Sequence, residues 1–413
     1  MNFEILKGTK DYFPEEKILL NNILEVIKKN LEKYGFRPMD TPTIEFFKTL
    51  TYKYDPDAEI VDEIFRLKDR GNRDLGLRYD LTTGLIRFLS NNRQFKLPFR
   101  RYQVGNVFRD GPIKKGRLRE FIQFDADVVG VEGQEIEVEL MELFFKIFKE
   151  LNLNVVIELN NYKILKGLLL QEGFKEEDLN SIILSIDKLK KIGKSGVLEE
   201  IKNKGFNEKK IENVLDILNL NDFNKLREIS KSSILDEGIN ELEKLASYLT
   251  ELKVDFRVNF SMARGLDIYT GNIWEVYDKT ERISSSLGAG GRYDKKIGMY
   301  RGDNKEVPAL GISFGIEPIK SLLEDKNEIK KTNTDILIVP LSINLFIDCF
   351  NLANKLRDEG KNVEIFYGKL KKGFEYSDYL GIKEIIIFGE KEKKEGFYTI
   401  KNLETKEEKK VSY

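Results

Sequence analysis

The 413-residue chain contains no histidine. That removes the side chain most used for proton transfer near neutral pH, and the commonest metal ligand. A Ser-His-Asp triad, a Cys-His pair and a His-ligated zinc site are all excluded. The single cysteine, Cys349, can build neither an intramolecular disulfide nor a zinc cluster. No apolar run reaches the length of a membrane span, and residues 1–9 lack the apolar stretch of a signal peptide. With so little cysteine, this points to the cytoplasm. A net charge of −1 gives no global sign of a nucleic-acid surface. What is left is chemistry by arginines, carboxylates, hydroxyls and backbone groups, which suits phosphate handling. The missing histidine also has a plainer reading, drift in a composition rich in lysine, asparagine and isoleucine.

The chain is too long for one core, so two or three domains are expected. Its 41% hydrophobic share is that of a globular protein. Apolar residues at helical spacing (Ile18, Leu19, Ile23, Val26, Ile27, Leu31) predict an amphipathic helix over 14–33. Gly35 ends it, and 36–43 reads as extended, punctuated by Pro38 and Pro42. Residues 64–78 read as a hairpin turning at 69–72, followed by a helix over 82–90. Alternation predicts strands at 99–108 and 121–129, joined by the loop 110–116. A helix over 136–151 and a strand over 155–159 come next. From Asn160 to about Thr250 the character changes to a helical, Lys/Glu-rich block. Strands are expected again at 254–259, 268–277 and 284–289, then a helix from about Pro318. Residues 325–333 form a charged linker. Beyond it, strands at 335–339, 363–366 and 384–388 alternate with helices at 342–359 and 370–380. This predicts a small α/β domain with a mainly parallel sheet. One more strand is expected at 397–400.

Charge is concentrated locally. Between Arg93 and Arg119 stand nine Lys/Arg and one acid, Asp110. On the second strand of this region Phe121, Gln123, Asp125 and Asp127 share a face. An aromatic ring, an amide and two carboxylates suit a ligand with a flat ring and an ammonium group. Arg109 and Arg117 bracket the loop and suit a bidentate clamp on polyphosphate. A solvated hairpin would account for the charges but not for the polar face. Two further segments are weaker on their own. Arg264-Gly265-Leu266-Asp267-Ile268-Tyr269 brings an arginine into an expected strand that then presents Tyr269. Leu287-Gly288-Ala289-Gly290-Gly291-Arg292-Tyr293-Asp294 is glycine-rich and permits close backbone approach. Gly193-Lys194-Ser195-Gly196 looks like the end of a phosphate-binding loop. Lys188 stands where the first glycine is required, however, and no strand precedes it.

Taken in order, these segments resemble the histidyl-tRNA synthetases, a class II aminoacyl-tRNA synthetase family. Lys7-Gly8-Thr9-Lys10-Asp11-Tyr12-Phe13-Pro14 looks like the opening signature, and 36–45, with Pro42, like motif 1 at the dimer interface. Residues 108–123 are similar to motif 2. Arg264–Tyr269 and 289–294 resemble the two histidine-specific signatures, and 311–317 resembles motif 3. The resemblance implies an α+β catalytic core, an antiparallel sheet flanked by helices, over 1–324. A helical insertion lies at about 160–250, and an α/β anticodon-binding-like domain covers 334–413.

The implied activity is attachment of histidine to its tRNA through a histidyl-adenylate, with ATP as co-substrate and Mg²⁺. Its partners are tRNA(His), histidine, ATP and a second copy of the chain, and no membrane. Carried over by motif, Asp80 and Thr82 (with Leu81 between them) and Gln123 would hold the α-amino group. Asp127, Tyr269 and Ile268 would line the imidazole. Arg109 would bind the α-phosphate, Arg264 would stabilise charge there, and Arg117 and Phe121 would complete the ATP site. The chain departs from the family at Pro318, where motif 3 ends in an arginine contacting the ATP γ-phosphate. It departs also at Gly111, in place of a motif 2 glutamate, and at Ile268, in place of one of two tyrosines. The alternative implied by the same likeness is a non-charging paralogue that senses histidine, such as the regulatory subunit of ATP phosphoribosyltransferase.

Overall fold

The computed structural model describes residues 3–52, 59–92, 94, 96–113, 118–264, 268–324 and 329–412. Sixteen strands occur among them. In chain order they are β1 (Arg37–Pro38), β2 (Ile44–Phe46), β3 (Arg66–Lys68), β4 (Asp74–Leu77), β5 (Phe99–Phe108), β6 (Glu120–Val129), β7 (Val155–Asn161) and β8 (Phe256–Val258). Next in the chain are β9 (Asn272–Asp278), β10 (Gly288–Arg292), β11 (Ala309–Gly315), β12 (Ile336–Pro340), β13 (Val363–Ile365), β14 (Glu384–Phe388), β15 (Phe397–Asn402) and β16 (Glu408–Ser412). Residues 1–10 and 23–323 form one compact unit, and 11–22 with 324–413 form another.

The larger unit is built on an eight-stranded sheet in the order β1-β5-β6-β11-β10-β9-β7-β8. All its pairs are antiparallel except β1–β5 and β7–β8 at the two edges. The two faces differ because side chains alternate along every strand. On one face Phe124 and Phe314 meet edge to face at 5.8 Å, and Phe144 and Phe148 of the helix Glu135–Glu150 close over Phe314. Val128, Ile312, Trp274, Val276, Ile157 and Leu159 extend this dry face and are buried. The other face is polar and carries the candidate site.

The helical block predicted over 160–250 is the connection between β7 and β8. Parallel neighbours cannot be joined by a tight turn, and here the crossover holds six helices, from Tyr162–Gln171 to Ser233–Glu251. Asn161, Asn207 and Asp222 cap three of them by accepting backbone N–H groups. Within the helix Leu189–Asn203, Gly193 is left-handed at φ 70° and breaks the turn 189–192 from the longer segment 194–203. The phosphate-loop look-alike at 193–196 is therefore a helix break.

In the smaller unit the sheet order is β13-β12-β14-β15-β16, parallel through β12 and antiparallel beyond β14. Alternate residues of β12 serve opposite cores: Ile336 and Ile338 pack with Cys349 and Leu352, whereas Leu337 and Val339 pack with Ile382 and Ile385. The three parallel strands agree with the sequence reading, while β16 was not foreseen.

Two strand expectations need correction in the larger unit. The strand expected at 268–277 begins only at Asn272, so Tyr269 precedes it. The strand expected at 284–289 is Gly288–Arg292, which turns the glycine loop into β10. The extended stretch 36–43 contributes only Arg37–Pro38 to a sheet. Strand β11 was not foreseen at all. No helix among the described residues is long and apolar enough to cross a membrane.

Candidate active site

The strand registers assemble the polar face. Gln103 of β5 stands opposite Asp125 of β6, and Arg101 opposite Asp127. On the other side of β6, Asp125 faces Ser313 and Asp127 faces Gly311. Gly311 pairs with Gly291, which pairs with Ile273, and Ala289 pairs with Glu275. Phe121, Gln123, Asp125 and Asp127 therefore do lie in one row, as their spacing predicts. Two small positions make room beside it. A Cβ at Gly311 would stand 2.3 Å from Asp127 Oδ1, and one at Gly291 would stand 2.6 Å from the Tyr269 ring.

Charge is buried along this row. Arg101 is 0% exposed, with Nη2 at 2.6 Å from Asp127 Oδ2. The Tyr293 hydroxyl donates to Asp127 Oδ1 at 2.6 Å. Burial still pushes the Asp127 carboxyl above the usual range, against the pull of Arg101 and Tyr293. Asp125 is pushed up to about 7, first by burial, with Arg101 opposing and Asp127 adding to the rise. Gln123 Nε2 donates to Ser313 Oγ at 3.1 Å. Among the described residues, Asp125 Oδ1, Gln123 Oε1 and Asp127 Oδ2 have no hydrogen-bond partner, but Asp127 Oδ2 is met by Arg101 as an ion pair, which leaves the first two without a polar partner. Two unsatisfied acceptors in one buried row are what an ammonium or N–H ligand would meet.

One end of the row is closed by the segment 78–83. Asp80 Oδ1 accepts from Thr83 N at 2.8 Å and closes the first turn of the helix Thr82–Asn91. Asp80 is near enough to raise the carboxyl groups of both Asp125 and Asp127 by like charge. Leu81 is fully buried, so it offers its backbone to this site; its carbonyl accepts from Arg101 at 3.4 Å. Thr82 is half-buried at the helix start. Arg109 Nε donates to the Tyr79 carbonyl at 3.2 Å, and its guanidinium lies 5.2 Å from the centre of the Phe121 ring. A cation and an aromatic ring are thus presented together beside the carboxylates.

Across the sheet, Arg264 is held on Glu275 of β9, in register with Asp125 through Ser313 and Ala289. Its Nη1 donates to Glu275 Oε1 at 2.5 Å, and its guanidinium lies 5.8 Å from the Tyr269 ring centre. Burial works against the arginine's charge, but Tyr269 and Glu275 outweigh it and raise the group above its ordinary value. Tyr269 in turn lies over Gly291. Ile268 is buried in an apolar cluster with Leu85, Ile86, Leu89 and Tyr293.

The structure places Asp80, Leu81, Thr82, Arg109, Phe121, Gln123 and Asp127 about β6, and Arg264 and Tyr269 across the sheet, where Tyr269 lies over Gly291 and Gly291 pairs with Gly311 beside Asp127. Arg117 and Asp267 lie outside the described residues. Pro318 is the third residue of the helix Ile316–Glu324, directly after β11. Sequence reasoning missed Arg101, Gln103, Glu275 and Ser313, and gave Tyr293, quoted within the glycine-rich segment, no role of its own. Arg101 and Gln103 alternate with Tyr102 and Val104, a signal masked by the basic run around them.

Comparison with known proteins gives two family matches along the chain. Residues 8–319 match the histidyl-tRNA synthetase family, and residues 335–413 match the anticodon binding domain family. The chain is 39% identical to histidine–tRNA ligase 1 of Bacillus cereus, over 100% of this chain and 98% of that one. The histidyl-tRNA synthetase structure from Nostoc sp. PCC 7120 superposes with a TM-score of 0.86 at 28% identity, covering 100% and 97% of the two chains. A structure from Bacillus halodurans, described as an ATP phosphoribosyltransferase regulatory subunit/histidyl-tRNA synthetase, gives a TM-score of 0.77 at 19% identity. It covers 94% of this chain and 99% of that one, and the likeness is one of fold.

Proposed function

The chain belongs to the histidyl-tRNA synthetase family, and on that footing we propose that it attaches histidine to its tRNA in two steps. Histidine and ATP form histidyl-adenylate and pyrophosphate, and the histidyl group then passes to the terminal ribose of the tRNA. The observation that carries this reading is the single polar sheet face, with buried carboxylates at its centre and the Arg109 and Arg264 guanidiniums brought to it.

In this reading the α-amino group is held by Asp80, Thr82 and Gln123, with the Leu81 backbone between them. The imidazole lies towards Asp127 and Tyr269, with Ile268 behind. Arg109 binds the α-phosphate and Arg264 meets the charge that develops on it. Oriented donors of this kind accelerate reaction by stabilising charge where it forms. Phe121 stacks on adenine, and Arg117 supports the phosphates. No step needs a protein imidazole. Mg²⁺ travels with the triphosphate, because it keeps most of its ligands from phosphate and water. No group of three or more Cys, Asp or Glu residues placed for a metal occurs among the described residues.

Residues 1–324, including the insertion at 160–250, form the catalytic domain; 325–333 is the linker, and 334–413 reads the anticodon. A homodimer formed through the motif 1 segment and a cytoplasmic location belong to the same reading. The test is histidine-dependent ATP–pyrophosphate exchange, then charging of tRNA(His). A protein that binds histidine yet shows no exchange above background would instead be a histidine sensor of the regulatory kind.

A further inference from the structure

Glu275 and Glu158 are direct partners on adjacent strands β9 and β7, so two carboxylates face one another on the polar side of the sheet. Like charges placed opposite each other destabilise a sheet. Glu158 is 2% exposed and is answered by Arg257 and by Lys190, whose Nζ lies 2.7 Å from its Oε2. Lys190 comes from the helical insertion, in the single turn 189–192 that Gly193 separates from the rest of its helix. Its ammonium also sits 3.4 Å from the Tyr277 hydroxyl oxygen and 4.4 Å from the centre of the Tyr277 ring. Tyr277 donates its hydroxyl to Glu275 Oε2, leaving Oε1 for Arg264.

We infer that Lys190 is a positioning residue for Arg264, acting through Tyr277 and Glu275. A carboxylate with both oxygens free takes an arginine bidentately. Here the Tyr277 hydroxyl occupies one oxygen, so Glu275 holds Arg264 by a single contact. The donors of the guanidinium fork not turned to Glu275 or Tyr269 stay available to a phosphate. Lys190 fixes Tyr277 in that pose by lying over its ring, and it keeps Glu158 neutralised so that Glu158 does not draw the hydroxyl away. Without Lys190, Tyr277 turns from Glu275, and the freed carboxylate closes on Arg264. The insertion thereby contributes to the adenylation site although Lys190 touches no reacting atom. This inference rests on the adenylation role proposed for Arg264.

The test uses the full chain with Lys190→Met, Lys190→Arg and Tyr277→Phe, and Lys194→Met as a control on the same helix. Histidine-dependent pyrophosphate exchange gives kcat and KM, and calorimetry gives histidine affinity. Lys190→Met and Tyr277→Phe should each lower kcat about tenfold, and together no further, because coupled residues act as one unit. Histidine affinity should stay within about twofold, Lys190→Arg should recover most of the rate, and Lys194→Met should match wild type. Unchanged kcat in Lys190→Met overturns the inference, as do losses that multiply in the double variant. An equal loss of histidine affinity also overturns it, by showing a merely structural role. If Lys190→Met does not fold, Tyr277→Phe and Lys190→Arg carry the same comparison. A wild-type chain without exchange overturns the adenylation reading itself, and this inference with it.

Discussion

Tyr293 donates its hydroxyl to Asp127 Oδ1 at 2.6 Å, while Arg101 holds Oδ2 of the same carboxylate at 2.6 Å. Asp127 is thus engaged on both oxygens before any ligand arrives. One pleat earlier, Asp125 keeps an oxygen without a partner among the described residues. A substrate entering this row therefore meets Asp125 and Gln123 as open acceptors, and meets Asp127 as a group whose orientation is already set.

Tyr293→Phe should test that setting. The substitution keeps the buried ring and leaves Asp127 Oδ1 without its donor. Loss of one partner in a buried pair costs about 1–3 kcal/mol, read as a lower urea midpoint at unchanged slope. Stability equal to wild type would show that the hydroxyl does not hold Asp127.

Asp125 should make stability depend on pH with a definite sign. Its carboxyl is pushed from 3.8 up to about 7 in the folded chain, chiefly by burial. Across that window the native state keeps a proton that the unfolded state has released, so stability falls as pH rises and levels off above it. The slope from this one group reaches at most about 1.4 kcal/mol per pH unit. Asp127 is shifted in the same direction and adds to the trend. Urea titrations at several pH values should show Asp125→Asn with a shallower fall than wild type. Parallel curves would refute the assignment to Asp125.

The two glycines on the polar face predict a steric effect. An alanine methyl at Gly311 meets Asp127 Oδ1 at 2.3 Å, and one at Gly291 meets the Tyr269 ring at 2.6 Å. Overpacking of this kind costs about 1–3 kcal/mol. Gly291→Ala should weaken histidine binding by displacing Tyr269, measured by calorimetry. Undiminished affinity would place the imidazole elsewhere.

Arg264→Ala should separate binding from chemistry. Loss of a donor aimed at developing charge costs roughly 10²–10³-fold in rate, so pyrophosphate exchange should collapse by about that factor. Histidine affinity should stay near wild type, since the open acceptors lie on β6, with β11 and β10 between them and the Glu275 of β9 that holds Arg264. A strong loss of affinity would mean that Arg264 holds the amino acid instead.

Much of this arrangement was legible in the sequence. The alternation at 121–129 placed the aromatic, amide and carboxylate side chains on one face, and β6 bears this out. The hairpin at 64–78 is β3 and β4, with Asn72 left-handed at its turn. Strand β11 escaped notice because Gly311 and Gly315 leave two of the four positions on its polar face without side chains, and glycine is a poor strand former. The same effect disguised β10 as a loop. Tyr269 was expected within a strand because residues 268–270 and 273–277 are both strand-like, yet Gly271-Asn272 interrupts them and the pairing partner of β9 ends at Asn161, opposite Asn272. The contacts of Lys190 with Tyr277 and Glu158 were beyond reach, since Lys190 is far from both in sequence and meets them only through the crossover.

Strand β6 carries the dry core and the polar row on alternate residues: Phe124, Ala126 and Val128 on one side, Gln123, Asp125 and Asp127 on the other. A slip of one residue in its pairing would invert both sets together. Deletions or insertions that shift β6 against β5 should therefore abolish folding and ligand recognition in the same step. Length changes are tolerable only where they leave that register intact.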